Sequence, residues 1–262
     1  MKYILIFIIV LVVFCILNIE LPRKSSICNI PVQLLNTIKL SSNFTNQINE
    51  YKKQFNTNNL VYIPDFFDKI YFNTLKNDVN QLLTSKNIKT SKHIFRKGSL
   101  LSKNDIQNSL VDKLYMEVLP YINQIVNEKI GSVKCVNYDD NSSYNILLYN
   151  KPNDFIQWHT DPNHYIGDRI TILISIENTN ETQTDLSSAQ LDYYLENNLN
   201  MQSIKMKPNS ILIFNGTKIL HRATSIKNNE KRSIISFTYC TECKETIIGN
   251  IIKRVKELVL GY

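Results

Sequence analysis

The chain predicts an α+β domain, a jelly-roll or cupin-like double-stranded β-helix buttressed by helices, carried behind an amino-terminal membrane anchor. Three observations predict it. The first 24 residues contain a nearly uncharged apolar run, YILIFIIVLVVFCILNI at 3–19. Two stretches with apolar residues at helical spacing follow, at about 65–83 and 105–128. Beyond residue 144 the periodicity changes to alternation, in eight short runs separated by turn residues.

The apolar run is just long enough to span hydrocarbon as a helix, which takes about 17 residues at the least. A cleaved signal peptide is the rival, but Ile19-Glu20-Leu21-Pro22-Arg23 offers no small-x-small cleavage site, so residues 1–24 read as an uncleaved, single-pass anchor. Lys2 and the amino terminus balance Arg23 and Lys24, which leaves the side of the membrane open. Residues 25–58, with Leu34, Leu35 and Ile38 at helical spacing before an Asn-rich tract, read as a stalk with some helix, and the globular domain is expected over 59–262.

Within that domain, 59–67 reads as a short strand stopped by Pro64, with Asp65 placed to cap a helix buried along Phe67, Ile70, Tyr71, Leu75, Val79, Leu82 and Leu83. The next helix, 105–128, carries Leu110, Leu114, Val118, Ile122 and Ile125 on one stripe and Pro120 as a bend. Strands are expected at 144–149, 155–159, 169–177, 186–191, 201–206, 210–214, 218–221 and 232–240. Ile247, Ile248, Ile251, Ile252, Val255, Leu258 and Val259 make an amphipathic helix at the end.

With 43% hydrophobic and 20% charged residues the composition is globular, not disordered. The formal charge of +7 invites an anionic partner. Between Asp78 and Asp105 no acidic residue occurs, while Lys86, Lys89, Lys92, Arg96, Lys97 and Lys103 accumulate. This tract reads either as a solvated, mobile surface loop or as a basic lip that receives an anionic substrate; nucleic acid is not the expected partner. Cys15, Cys28, Cys135, Cys240 and Cys243 give an odd count, and Cys240-Thr241-Glu242-Cys243 is half a zinc motif without its other half, so both residues read as part of a terminal strand. Sequons at Asn43, Asn141, Asn180 and Asn215 decide nothing in a chain this rich in Asn.

The chemistry sits in two segments. His159-Thr160-Asp161 ends an aromatic-rich strand, and His221 closes a later one. Two imidazoles and one carboxylate are the ligand types that hold a divalent iron on one face and leave the other face open. A His-x-Asp pair alone is weak, and a lone His at a strand end is commonly a structural residue. The weight comes from the joint pattern, which adds the cations Lys231-Arg232 at the start of an alternating run.

From about residue 60 to 243, the stretches YNILLYNKPNDFIQWHTD, DRITILISIEN, PNSILIFNGTKILHRAT and KRSIISFTYCTE resemble the iron(II)/2-oxoglutarate-dependent dioxygenases of the prolyl-hydroxylase-like group. The resemblance implies that His159, Asp161 and His221 bind Fe(II), and that Arg232 or its neighbour Lys231 holds the distal carboxylate of 2-oxoglutarate. It implies that Tyr149 contacts the cosubstrate, although Tyr149 reads nearly as well as barrel core. It further implies hydroxylation of a C–H bond in a protein side chain or small molecule, consuming O2 and 2-oxoglutarate, releasing succinate and CO2, with ascorbate as an accessory reductant. Because Asp161 leaves no iron position for a halide, hydroxylation is expected over halogenation. The polar insert at 178–200 lacks a counterpart in the collagen-type enzymes. Competing readings are a non-catalytic, membrane-anchored jelly-roll binding module and a metal-dependent hydrolase or isomerase on a cupin barrel.

Strand alternation separates the two cations, since successive side chains point to opposite sides. With Arg232 inward, Ile234, Ser236 and Thr238 line the pocket; with Lys231 inward, Ser233, Ile235, Phe237 and Tyr239 do. The smaller set leaves room for a cosubstrate, and the planar guanidinium matches a carboxylate with two hydrogen bonds, so Arg232 is expected inside.

Overall fold

The computed structural model describes residues 38–247 and 249, apart from 137–139, 141, 142 and 197. The expected anchor and all but the start of the expected terminal helix lie outside the described residues. Among the described residues no helix is long and apolar enough to cross a membrane.

The order of elements is α1 (Ser42–Asn58), β1 (Leu60–Ile63), α2 (Lys69–Ser85), β2 (Lys89–His93), β3 (Arg96–Ser102), α3 (Lys103–Ile106), α4 (Leu110–Glu117), α5 (Leu119–Ile130), β4 (Lys134–Cys135), β5 (Tyr144–Tyr149), β6 (Phe155–His159), β7 (Arg169–Thr179), β8 (Leu191–Leu195), β9 (Asn198–Ile204), β10 (Ser210–Asn215), β11 (Leu220–Ala223) and β12 (Lys231–Cys240).

Several local expectations differ from this: the strand expected over 186–191 begins only at Leu191, Ile70 is exposed and not part of its helix's buried stripe, and four further differences concern the helices and the basic tract. The second half of the presumed stalk is helix α1, capped by Ser41, whose side chain accepts from the Phe44 N–H, and ended by Asn59 in the left-handed conformation. Its Phe44, Tyr51 and Phe55 form one buried stripe, so this helix is part of the folded unit. Helix α2 is capped by Asp68 and not by Asp65, which has positive φ. The single helix expected over 105–128 is three, because Ser109 caps α4 and Pro120 falls in the first turn of α5, where its missing N–H costs no helical bond. The basic tract is a β-hairpin: β2 pairs with β3, and β3 pairs with both β5 and β6.

The strands form one curled antiparallel sheet in the order β1-β10-β7-β12-β5-β3-β6-β11-β8-β9, with β2 added to β3 and β4 to β12. Central strands β5, β7 and β12 each present two different faces. Tyr144, Ile146, Ile170, Ile172, Ile174, Ile235, Phe237 and Tyr239 pack with Leu75, Val79, Leu114 and Ile122 of the helices in the main core. Tyr115 stacks on Tyr239 with ring centroids 4.9 Å apart and meets Phe237 edge-on at 5.3 Å. Each such side chain contributes about 1.5–3 kcal/mol by leaving water. On the curled interior face Leu173, Leu212, Phe214 and Ile234 form a second apolar cluster, and beyond it the interior becomes polar.

Cys240 ends β12 and is joined by a disulfide to Cys243 in the following turn, while Cys135 is buried on β4. Among the sequons, Asn215 is fully buried and its amide donates to Asp168 Oδ1 at 3.0 Å.

Candidate metal centre

Strands β6 and β11 are antiparallel partners, and their register sets His159 directly opposite His221. Opposed residues of an antiparallel pair share a face at close range, which is how ligands so distant in sequence meet. Their ring centroids are 4.3 Å apart. Just past β6, the Asp161 backbone N–H donates to the Gly216 carbonyl at 2.8 Å. This turns the carboxylate inward, with Oδ1 3.7 Å from His159 Nε2. A Cβ on Gly216 would meet Asp161 Oδ2 and Thr171 Oγ1, so any larger residue in the turn before β11 would push the Asp161 carboxylate out of place. One ligand atom from each of His159, Asp161 and His221 lies within 4.8 Å of the others.

The hydrogen bonds around these residues suit them to a cation. His159 Nδ1 lies 2.7 Å from the Gln157 carbonyl and His221 Nδ1 lies 3.0 Å from the Ile219 carbonyl. An Nδ1–H donated to each carbonyl leaves Nε2 as a lone pair toward the cavity. Burial would raise the Asp161 carboxyl, but Arg169, His221, the Thr171 hydroxyl and His159 together hold it below the usual carboxylate range. Burial is also the main reason that His221 is pushed below its ordinary value, toward the neutral form a metal ligand needs. Arg169 is itself fixed, donating to the Pro162 carbonyl at 2.6 Å and to Thr238 Oγ1 at 3.1 Å.

Beside the triad lies a cavity of about 200 Å³ whose wall includes Arg96, Asn145, Tyr149, Arg169, Thr171, Arg232 and Ser236. Arg232 is 3% exposed. Its guanidinium lies 5.6 Å from the Tyr149 ring centre and 3.8 Å from Met206 Sδ, and its Nε has no hydrogen-bond partner. Burial pushes Arg232 down from its ordinary value, and burial likewise raises Tyr149. Lys231 faces away and pairs with Glu177 at 2.7 Å. The expected ligands and Arg232 thus converge on one cavity, with Tyr149 in its wall, while Lys231 stands outside it.

Three wall residues escaped the sequence reading. Arg169 and Thr171 alternate into the cavity from β7, but the run RITILISI is buried on both faces, which hides its period. Arg96 was visible only as one of a basic tract, and its position depends on the pairing of β3 with β6.

Solved structures that share this curled-sheet fold include proteins described as prolyl hydroxylases, as non-heme alpha ketoglutarate dependent enzymes and as a 2OG-Fe(II) oxygenase family member. A prolyl-4-hydroxylase from Pseudomonas putida superposes with a TM-score of 0.56 at 10% identity, over 73% of this chain and 97% of its own. A prolyl hydroxylase from Trichoplax adhaerens, solved with a hypoxia inducible factor peptide fragment, gives 0.57 at 17% identity, over 74% and 89%. The non-heme alpha ketoglutarate dependent epimerase SnoN of nogalamycin biosynthesis gives 0.58 at 10% identity, over 75% and 81%. At such identities the likeness is one of fold. No curated protein matches the chain in sequence. Residues 44–247 match the family HalD, Halogenase D, and the chain belongs to that family.

Proposed function

We propose that this protein is an Fe(II)- and 2-oxoglutarate-dependent oxygenase that hydroxylates an unactivated C–H bond. The observation that carries the reading is Arg232, a guanidinium buried in the same cavity as the His-Asp-His group and, among the described residues, without an anionic partner. A buried cation costs several kcal/mol unless an anion meets it. The distal carboxylate of 2-oxoglutarate is such an anion, and the free Nε2 atoms of His159 and His221 with Asp161 are a donor set that fits Fe(II).

When bound, iron with 2-oxoglutarate supplies oxidative decarboxylation to succinate and CO2 and oxygen insertion into a C–H bond. The chain's residues do the rest. Thr171 and Arg169 hold the Asp161 carboxylate ionised and oriented, the Gln157 and Ile219 carbonyls fix the imidazole tautomers, and Arg232 orients the cosubstrate. The family is named for halogenation, but His159, Asp161 and His221 would hold the iron through three protein ligands, and the Asp161 carboxylate would compete with a halide. Hydroxylation is therefore the reaction this chain's ligand set favours.

The small cavity holds a second cation, Arg96, whose buried Nε is also unpartnered, and an unpartnered acceptor, Asn145 Oδ1. These suit a small substrate with an anionic group. The test is full-length protein with Fe(II), 2-oxoglutarate and a panel of small carboxylic acids. We expect succinate and a product heavier by one oxygen atom, with and without chloride. A chlorinated product would overturn hydroxylation, and absence of succinate under every condition would leave a binding module. We also propose that residues 3–19 anchor the chain. It should then stay with membranes through a carbonate wash, and recovery of the full-length chain in the wash would sink that idea.

A further inference from the structure

The loop at 162–168 begins directly after Asp161 and is held from outside the site by the turn at 241–246. The Gly167 N–H donates to the Glu242 carbonyl at 3.2 Å, the Ile166 N–H to Lys244 at 3.0 Å, and the Thr246 N–H to His164 at 2.9 Å. Asp168 is clasped twice by Thr241, its N–H donating to Oγ1 and its carbonyl accepting from the Thr241 N–H. The fit is close, since a Cβ on Gly167 would collide with Thr241 Oγ1 and the Glu242 backbone. Asp168 Oδ1 in turn accepts from Asn215, next to Gly216, whose carbonyl receives the Asp161 N–H. The turn that organises this chain of contacts is closed by the Cys240–Cys243 disulfide. Cys240 is fully buried against Val136 and Tyr165, whereas Cys243 is half-buried at the surface.

We infer that Cys240–Cys243 is a thiol–disulfide modification site, through which a dithiol reductant sets the order of the loop beside the metal carboxylate. Access decides where the exchange starts. An external thiolate attacks Cys243 Sγ, the Cys240–Cys243 bond breaks, and Cys240 leaves as a thiolate that takes up a proton. The reductant's second thiolate then displaces Cys243, so the reductant ends as its own disulfide and the protein as a dithiol. Without the cross-link the 241–246 turn opens more readily, and the amides it holds lose their partners.

The experiment uses the full-length chain prepared in air and treated with dithiothreitol. Alkylation and peptide mapping should find the 240–243 peptide blocked before treatment and twice alkylated after it. Hydrogen exchange of Ile166, Gly167 and Asp168 should accelerate at least about tenfold on reduction, with the core strands unchanged. Mn(II), as a redox-quiet probe, should bind at least about threefold more weakly to the reduced protein. Binding to the oxidised protein reports on the metal site itself, and the ratio of the two forms reports on the disulfide. Cys243→Ser should reproduce the reduced state and Cys135→Ser should not. Since the reduction needs no variant, a misfolded serine mutant leaves the result standing. Two free thiols at 240 and 243 in air-prepared protein, or loop exchange unchanged by reduction, would overturn the inference.

Discussion

The two faces of β5, β7 and β12 are built from the same three strands and obey opposite rules. Toward the helices they place Ile146, Ile172, Ile235, Phe237 and Tyr239, side chains whose only demand is close packing. Toward the curled interior, one residue away along each strand, stand Asn145, Tyr149, Arg169, Thr171, Arg232 and Ser236. Several of these interior groups are buried without partners, among them Arg232 Nε, Arg169 Nε and Asn145 Oδ1. A polar atom left unpaired in a dry interior costs about 1–3 kcal/mol. A sheet that accepts this cost on one face while satisfying the other with hydrocarbon is spending stability where a ligand will repay it. Stability and function are thereby separated along one strand, and substitutions on the two faces should fail in different assays.

The largest effect belongs to the proposed metal ligands at the mouth of the interior face. His159→Ala, Asp161→Ala and His221→Ala should each lower succinate formation more than about a hundredfold, beyond the 10- to 100-fold typical of outer-shell partners. Melting temperatures should change little, because each group opens onto the cavity rather than filling the core. Wild-type succinate formation by His221→Ala would dissolve the distinction between the faces.

Next comes the helix-facing side. Phe237 is fully buried among Tyr115, Tyr144 and Tyr239. Phe237→Ala should cost about 3–5 kcal/mol of unfolding free energy through lost burial and a residual cavity. The folded fraction should keep the wild-type KM for 2-oxoglutarate. A KM shift larger than about threefold without a loss of stability would mean that this face, too, addresses the site.

How much of this was legible depends on which face a residue serves. The interior of β12 was readable because Arg232, Ile234, Ser236 and Thr238 alternate with bulkier neighbours, and period two survives when the faces differ in chemistry. The cluster of His159, Asp161 and His221 was legible because so few histidines occur. Helix α1 was not, since its polar, Asn-rich composition hides three aromatic anchors whose value comes only from the core they enter. Nor was the place of Arg96, because β2 and β3 are basic and polar throughout, and their pairing with β5 and β6 is a long-range fact. The disulfide escaped for a related reason: the 240–243 spacing permits a strand end, a metal half-site or a bond, and only the turn chooses.

The smallest expected effects test the comparison most finely, because they set adjacent residues against each other. Arg232 is buried beside Tyr149 and pairs with no carboxylate among the described residues, whereas Lys231, 39% exposed, already has Glu177 at 2.7 Å. Removing Arg232 deletes a cation whose desolvation the folded chain has not offset, so Arg232→Ala should lower the melting temperature less than Phe237→Ala does. It should raise the KM for 2-oxoglutarate at least about tenfold, the loss of a charge-assisted pair worth about 1.5–3 kcal/mol. Lys231→Ala breaks a partly exposed ion pair of the kind worth about 0–1 kcal/mol and should move KM less than about threefold. Arg232→Lys discriminates further, since a point charge keeps the attraction but loses the fork, and it should fall between Arg232→Ala and wild type. If Lys231→Ala and Arg232→Ala exchanged these phenotypes, the cosubstrate would be bound on the face that carries Glu177, and the division of β12 into a packing side and a binding side would have to be reversed.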